Sequence, residues 1–493
     1  MGDNTRIPPQ GIAKDELLER MSGFREEDVD WESGKTWSLV YYAGDEHYDF
    51  LKKAHNLFFS ANGLNPMAFK SLKKMEAEVV RMTADMLNGD ENVVGTMTSG
   101  GTESILMAVK AARDRAKFFR KWPGKPDIVA PRTIHPAFAK AAHYFGLNLE
   151  YVPVDDDFRA DVDALEDAIS RKTVLVAASA PQYAHGMIDP IEEIGAVAQE
   201  HGVPFHVDAC FGGFILPWIE KLGHDIPTFD FRIPGVTSMS ADVHKYGYAA
   251  KGASTVLYRD MSYLKHQFFV STEFPGGIYA SPTAAGTRPG GSIAAAWASM
   301  RALGEDGYTE LTEKTMETAQ TLKERIRAIP SLRILGSEHA TVVTFGSADD
   351  RVDIYVVADR MQEAGWAMDR QQKPASLHCT VNPHQGPVID DFIADLEDAV
   401  DYAKNHPEAS TEGEAAMYGM MAKIPFRGAV KASVKKVMER LYGPDAAEPN
   451  IGEIASGEDA GLLLGLVDRY GDRILDFLDD VESLSDLWKR IRG

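Results

Sequence analysis

The chain has 493 residues, a formal net charge of −22, 44% hydrophobic and 26% charged residues. That is ordinary globular usage, which excludes disorder throughout and provides for two or three domains with a large core. The acidic balance argues against wrapping nucleic acid or lying on an anionic membrane, but leaves room for a small anion in a local basic pocket.

Residues 1–50 are acidic, with a short helix expected over Asp15 to Met21. From residue 51 to about 300, short apolar runs alternate with amphipathic helices, the first carrying Ile105, Ala108, Val109, Ala112, Ala116 and Phe119 at spacings of three and four. The runs Asp127 to Ala130, Leu149 to Val154, Thr173 to Ser179, Pro204 to Val207, Val236 to Ser240 and Ala253 to Tyr258 show no alternation, as buried parallel strands do. Pro136 to Phe145, Val162 to Ser170 and Ile191 to His201 supply helical crossovers. A long helix is expected from Ile293 to Ile329. A second, smaller α/β set follows, with strands at Leu332 to Leu335, Thr341 to Phe345 and Leu377 to Val381 and helices at Ile354 to Ala364 and Ile389 to Ala403. A polar linker (405–415), a basic helix (Val430 to Leu441) and an acidic tail with a helix over Leu462 to Leu478 complete the chain.

The expected division is an N-terminal segment (1–50), a large domain (51–300), a small C-terminal domain (301–442) and an acidic helical tail (443–493). Two cysteines, Cys210 and Cys379, are too few for a disulfide framework and suit a reducing compartment. The N-terminus lacks the apolar core of a secretory signal, and no run of about 18 apolar residues occurs. A soluble cytoplasmic protein without an integral membrane segment is expected.

Three features carry chemistry. Thr98-Ser99-Gly100-Gly101-Thr102-Glu103-Ser104 stands directly before an amphipathic helix, where glycines, free amides and hydroxyls form an anion cradle; an ordinary cap and flexible turn uses the same residue types. In His206-Val207-Asp208-Ala209-Cys210, Asp208 ends an apolar run, at the sheet edge where a carboxylate can pair with a cationic ring nitrogen or simply cap a turn. In His244-Lys245-Tyr246-Gly247-Tyr248, Lys245 follows the next strand. Pyridoxal 5'-phosphate needs a phosphate site, an acidic partner for its ring nitrogen and a lysine amine, in this set of roles.

The stretches TSGGTESILMAVKAARDRA, HPAFAKAAHYFG, HGMIDPIEEI, HVDACFGGFILPW, FDFRIPGVTSMSADVHKYGYAAKGASTVLYRD and GGIYASPTAAGTRPGG resemble the pyridoxal phosphate-dependent group II decarboxylases, from about Tyr41 to Tyr442. Within that family the chain looks most like the lyases of phosphorylated sphingoid bases. The resemblance implies an α/β protein of the fold type I (aspartate aminotransferase-like) class. Its large domain would carry a mainly parallel seven-stranded sheet, beside a smaller C-terminal α/β domain.

It implies Lys245 as the Schiff-base lysine and Asp208 as the partner of the pyridine nitrogen. Gly101, Thr102 and His244 would hold the phosphate, with His135 stacked on one ring face and Cys210 near the other. Thr287, where the family has serine, would reach the neighbouring subunit of a homodimer with shared active sites. Tyr41, Asn62 and Lys251 occupy substrate-side positions, and Asn65 replaces the family's histidine. Asn65 can donate a hydrogen bond but cannot carry a proton or charge. Tyr183 is a further candidate acid or base, contributed from across the dimer. The implied reaction is carbon–carbon cleavage of a phosphorylated sphingoid base to a fatty aldehyde and phosphoethanolamine, with amino acid decarboxylation and a non-catalytic cofactor-binding scaffold as alternatives. Residues 51–300 hold 25 basic and 27 acidic side chains, so the negative charge sits mostly on the flanks and the expected phosphate-binding region is close to neutral.

Overall fold

The computed structural model describes residues 7–119, 124–336, 341–411, 415, 418, 419 and 427–443. The short apolar runs assemble into a seven-stranded sheet of β1 (Val94–Thr98), β2 (Asp127–Pro131), β3 (Asn148–Val152), β4 (Thr173–Ser179), β5 (Phe205–Asp208), β6 (Val236–Ala241) and β7 (Ser254–Tyr258). Their order is β1-β7-β6-β5-β4-β2-β3. Every residue of β4, β5, β6 and β7 is buried, which explains their lack of alternation. At the edge, β3 keeps Asn148, Glu150 and Tyr151 in solvent.

β2 to β6 pair in parallel, but β7 is antiparallel to both β6 and β1, contrary to the expectation from its apolar run. The reason is the connection: residues 242–253 between β6 and β7 hold a tight turn and no helix, and a parallel return needs a crossover. β1 has no counterpart among the expected strands. Its Gly95 sits tightly over β7, where a Cβ would fall 2.4 Å from the Val256 carbonyl oxygen.

Helices α1 (Lys14–Phe24), α2 (Asp45–Leu57) and α3 (Lys70–Met86) precede the sheet, and α4 (Gly101–Phe119), α5 (Ala137–Phe145), α6 (Val162–Ala168) and α7 (Ile191–Glu200) supply its crossovers. Short helices α8 (Leu216–Lys221) and α9 (Met261–Leu264) follow, then a hairpin of β8 (Phe269–Ser271) and β9 (Tyr279–Ser281). The long α10 (Gly290–Arg327) changes direction at Gly304, which has φ 60°.

The second unit is an antiparallel sheet, β10-β11-β13-β12, of β10 (Leu332–Leu335), β11 (Val342–Ser347), β12 (Asp369–Gln372) and β13 (Ala375–Thr380), covered by α11 (Ile354–Glu363) and α12 (Ile389–Asn405). Its core holds Phe345, Trp366 and Phe392, together with Trp37 from the N-terminal segment. Trp37 donates its backbone N–H to Ala367 O at 2.8 Å, so this segment is stitched onto the small sheet. Residue 50 falls inside α2 and residue 300 inside α10. The basic helix runs Arg427–Leu441; the expected tail helix, Leu462 to Leu478, lies outside the described residues. Among the described residues, no helix is long and apolar enough to cross a membrane.

Candidate active site

The antiparallel placement of β7 leaves β1 and β6 pointing the same way, so the C-terminal ends of β1, β4, β5 and β6 share one edge of the sheet. A cavity of about 500 Å³ opens there, in the crevice where open α/β sheets place ligands.

One wall is the start of α4, where Ser99, Gly100, Gly101 and Thr102 line the cavity. The first amides of a helix have no intrahelical acceptor and attract an anion. Gly101 is required by close approach: a Cβ there would fall 2.7 Å from Cys210 Sγ and 2.8 Å from Asp242 Oδ2. Glu103, although acidic and beside the cradle, is already engaged. Its carboxylate accepts from Ser99 N and Ser99 Oγ, both at 2.7 Å, and from Ala284 N at 2.9 Å.

The floor is Asp208 at the end of β5. Its Oδ1 accepts from Cys210 N and from Ser240 Oγ, each at 3.1 Å. Because Ser240 gives its proton to the carboxylate, His206 Nε2 donates to Ser240 Oγ (3.2 Å), and Nδ1 accepts from Ser238 Oγ (2.9 Å). Burial pulls the His206 pKa down to about 4, so this imidazole is a neutral strut that fixes Asp208. Cys210 is buried, and burial, then Asp208, push its thiol well above the usual range, so it packs as a neutral thiol.

Lys245 stands in the turn after β6, which is closed by Lys245 N donating to Asp242 O and Tyr248 N donating to Lys245 O. Its Nζ is 3.0 Å from Asp242 Oδ2. Burial pulls the ammonium down, but attraction to Asp242, with smaller contributions from Tyr41, Cys210 and Asp208, outweighs it and holds the amine above its ordinary range. Asp242 itself is opposed by burial, yet Lys245 and His244 keep its carboxyl below the usual value. Its second oxygen, Oδ1, is buried without a hydrogen-bond partner. His244 Nδ1 accepts from Ala253 N at 3.2 Å, while His135, at the cavity mouth, accepts from Ala137 N through Nδ1 at 3.2 Å.

Tyr41, Tyr183 and Lys251 complete the wall. The Tyr41 ring meets Tyr246 edge-on at 4.9 Å. Lys251 Nζ donates to Leu39 O at 2.7 Å and lies 5.1 Å from the centre of the Tyr41 ring. A second cavity of about 440 Å³ shares Tyr41 and Lys251 and is lined by Trp31, Val40, Tyr42, Tyr48 and Leu51. Tyr183, expected from across a dimer, lines the cavity of this same chain, because it follows the C-terminal end of β4 at the same sheet edge.

Ten of the expected residues thus share one cavity. Thr287, Asn62 and Asn65 do not. Asn62 Nδ2 donates to Thr287 Oγ1 at 3.4 Å, and Asn62 Oδ1 accepts from Arg288 N at 3.3 Å. Asn65 Oδ1 accepts from Met67 N and Ala68 N, a local turn at the surface. Arg288 locks this loop to α3 through Glu76, with contacts of 2.5 and 3.1 Å to its two oxygens. Asp242 and Thr380 also line the cavity and are not among the expected site residues. Asp242 was within reach, three residues before Lys245 in the same turn; Thr380 comes from the small domain, with no local signal to mark it.

The donor set fits pyridoxal 5'-phosphate: helix amides and a glycine cradle for the phosphate, a fixed carboxylate on the floor, and a lysine amine beside it. Fold and site together define a pyridoxal phosphate-dependent enzyme. The pyridoxal-dependent decarboxylase conserved domain matches residues 58–347, and the chain belongs to that family. It is 45% identical to sphingosine-1-phosphate lyase of Arabidopsis thaliana, over 88% of this chain and 81% of the relative. It is 43% identical to sphingosine-1-phosphate lyase 1 of Rattus norvegicus, over 89% and 77%. The solved sphingosine-1-phosphate lyase of Burkholderia pseudomallei superposes with a TM-score of 0.81 at 38% identity, covering 90% of this chain and 98% of that one. The chain is therefore a lyase with pyridoxal 5'-phosphate as its cofactor.

Proposed function

We propose that the substrate is a phosphorylated sphingoid base, cleaved between C2 and C3 to a fatty aldehyde and phosphoethanolamine. The observation that carries this reading is the pairing of Lys251 with Tyr41 on the cavity wall, Nζ 5.1 Å from the ring centre, a second anion-binding element beside Lys245; the likeness to three sphingosine-1-phosphate lyases supports it.

When bound, pyridoxal phosphate supplies a conjugated cationic ring that accepts the electron pair released by the broken bond. The chain's own residues set this up. Asp208, fixed by Ser240 and His206, holds a proton on the ring nitrogen. The start of α4, with Thr102 and His244, binds the phosphate. Lys245 anchors the cofactor and carries protons at its amine. Lys251 and Tyr41 grip the substrate phosphate with a charge and a hydroxyl, and the adjoining aromatic cavity offers apolar space.

Cleavage is tested by incubating the purified, cofactor-loaded protein with a sphingoid base phosphate and, separately, with an amino acid panel. Long-chain aldehyde is the expected product; carbon dioxide from an amino acid without aldehyde would sink the reading.

Lys251 adds a pH test. Partial enclosure by the cavity wall, then the charge of the free Lys245 amine, lowers its pKa to about 8 against a smaller opposing pull from Asp242. The ammonium is charged below that pH and lost above it, so KM for the phosphorylated substrate rises several-fold between about pH 7 and about pH 9. Lys251→Arg, which stays charged, flattens that rise.

The working form is proposed to be a homodimer. Leu57, Phe59 and Met67 near Asn62, and Phe269, Phe274 and Ile278 of the β8–β9 hairpin, are exposed apolar side chains, and a second copy would cover them. Asn62, Asn65 and Thr287 would then face the partner's cavity. Both cysteines are free and buried, in keeping with a cytoplasmic setting.

A further inference from the structure

The small domain meets the cavity wall at a cluster that the roles above leave unused. β12 and β13 pair with Asp369 opposite His378, and both side chains lie against Tyr183. The Tyr183 hydroxyl donates to Asp369 Oδ2, and its ring centre is 4.2 Å from that of His378. Tyr183 lines the cavity, whereas Asp369 stands behind it. The other carboxylate oxygen, Oδ1, accepts from Ser38 Oγ at 3.4 Å, so both oxygens take hydrogen bonds from neutral hydroxyls. Arg370 points off the opposite strand face, to Asp359 at 2.7 Å and Gln362 at 2.9 Å.

This geometry turns the Tyr183 proton toward Asp369 and leaves lone pairs of the phenol oxygen for the cavity. His378 does not compete for the role of base: its Nε2 is 3.0 Å from Thr380 Oγ1, and the ring is fully buried. Burial, then Asp369, push the Tyr183 phenol above its ordinary pKa, so a lasting phenolate is disfavoured and the phenol works by passing a proton on.

Resting on the lyase reading, we propose that Asp369 is a positioning residue for carbon–carbon cleavage, acting through Tyr183. As the substrate's C3 hydroxyl gives its proton to the Tyr183 oxygen, the Tyr183 proton passes to Asp369. The C3–O bond becomes a carbonyl, the C2–C3 bond breaks, and its electron pair leaves with the C2 fragment. Asp369 then returns its proton through the Tyr183 hydroxyl to C2, so the proton lost from the C3 hydroxyl is the one gained at carbon and both side chains regain their starting state. Asp369 is a proton store for one half of the cycle.

The test uses the cofactor-loaded protein and a sphingoid base phosphate. Asp369→Asn keeps an acceptor for the phenol but takes no proton, so kcat falls roughly 10- to 100-fold while KM stays within about threefold. Asp369→Glu recovers part of the rate. Combined with Tyr183→Phe, Asp369→Asn adds nothing, because the two groups act in series. A 3-fluorotyrosine at position 183 provides a readout independent of turnover: its ¹⁹F resonance moves with Asp369→Asn and not with Asp398→Asn on the exposed face of α12. A kcat for Asp369→Asn within about twofold of wild type, full additivity with Tyr183→Phe, or an unmoved resonance overturns the proposal. Wild-type protein that releases no aldehyde overturns the substrate reading and the proposal with it, an outcome distinct from the other three.

Discussion

Lys245→Ala is expected to remove the visible absorbance of lysine-bound cofactor and to lower turnover by roughly 10⁴-fold, because one amine both holds the cofactor and carries protons. Its second effect is electrostatic. Asp242 is 2% exposed at its side chain and 3.0 Å from Lys245 Nζ, and its other oxygen has no partner. Removing Lys245 leaves that carboxylate with His244 Nε2, 3.7 Å away, as its nearest remaining counter-charge, so the variant also melts earlier. Lys245→Arg separates the two effects. It keeps a positive charge near Asp242, restoring much of the stability, but offers no amine for the cofactor. Full turnover in either variant would remove Lys245 from the chemistry.

Asp208→Asn is expected to leave the fold intact and to lower kcat by roughly 10²-fold, since about 3 kcal/mol of charge stabilisation at the ring nitrogen is lost. The amide preserves shape, and its oxygen can still accept from Ser240 and Cys210 N. What it lacks is negative charge to keep the ring nitrogen protonated. Cofactor binding, measured by the absorbance retained after dialysis, weakens less than kcat falls, because the helix N-terminus and Lys245 remain. Ser240→Ala has a smaller effect in the same direction, as Asp208 keeps its bond from Cys210 N but loses the strut to His206. An unchanged kcat in Asp208→Asn would show that the carboxylate only caps its turn.

Most of the catalytic wall was legible from short-range order. Gly101, Asp208, His244 and Lys245 sit in unbroken motifs beside strands or helices whose apolar runs mark where each element ends, so their shared edge follows from the α/β pattern. The strand limits follow for the same reason: the apolar run Thr173 to Ser179 is β4 itself. The direction of β7 was not legible, because a fully buried strand reads the same in either sense and only the helix-free turn before it forces the reversal.

Local order therefore determined the chemistry that the chain can perform: a cradle, a carboxylate and an amine, each set by its own few residues. The tertiary structure decided what surrounds them. Asp369, His378 and Thr380 lie more than a hundred residues from Lys245, on strands whose own pattern says only that they pack a small sheet, and the same is true of Trp37 threading into that core. Contacts between such distant segments carry no periodic signature, since each partner satisfies its own strand or turn. The placing of Asn62 and Thr287 away from the protomer's own cavity is of that kind. Where the negative charge falls is intermediate between the two. The count of −22 and its concentration on the flanks are properties of the sequence, while the inward turn of Asp208, Asp242 and Asp369 toward one lysine and one tyrosine is set by the fold.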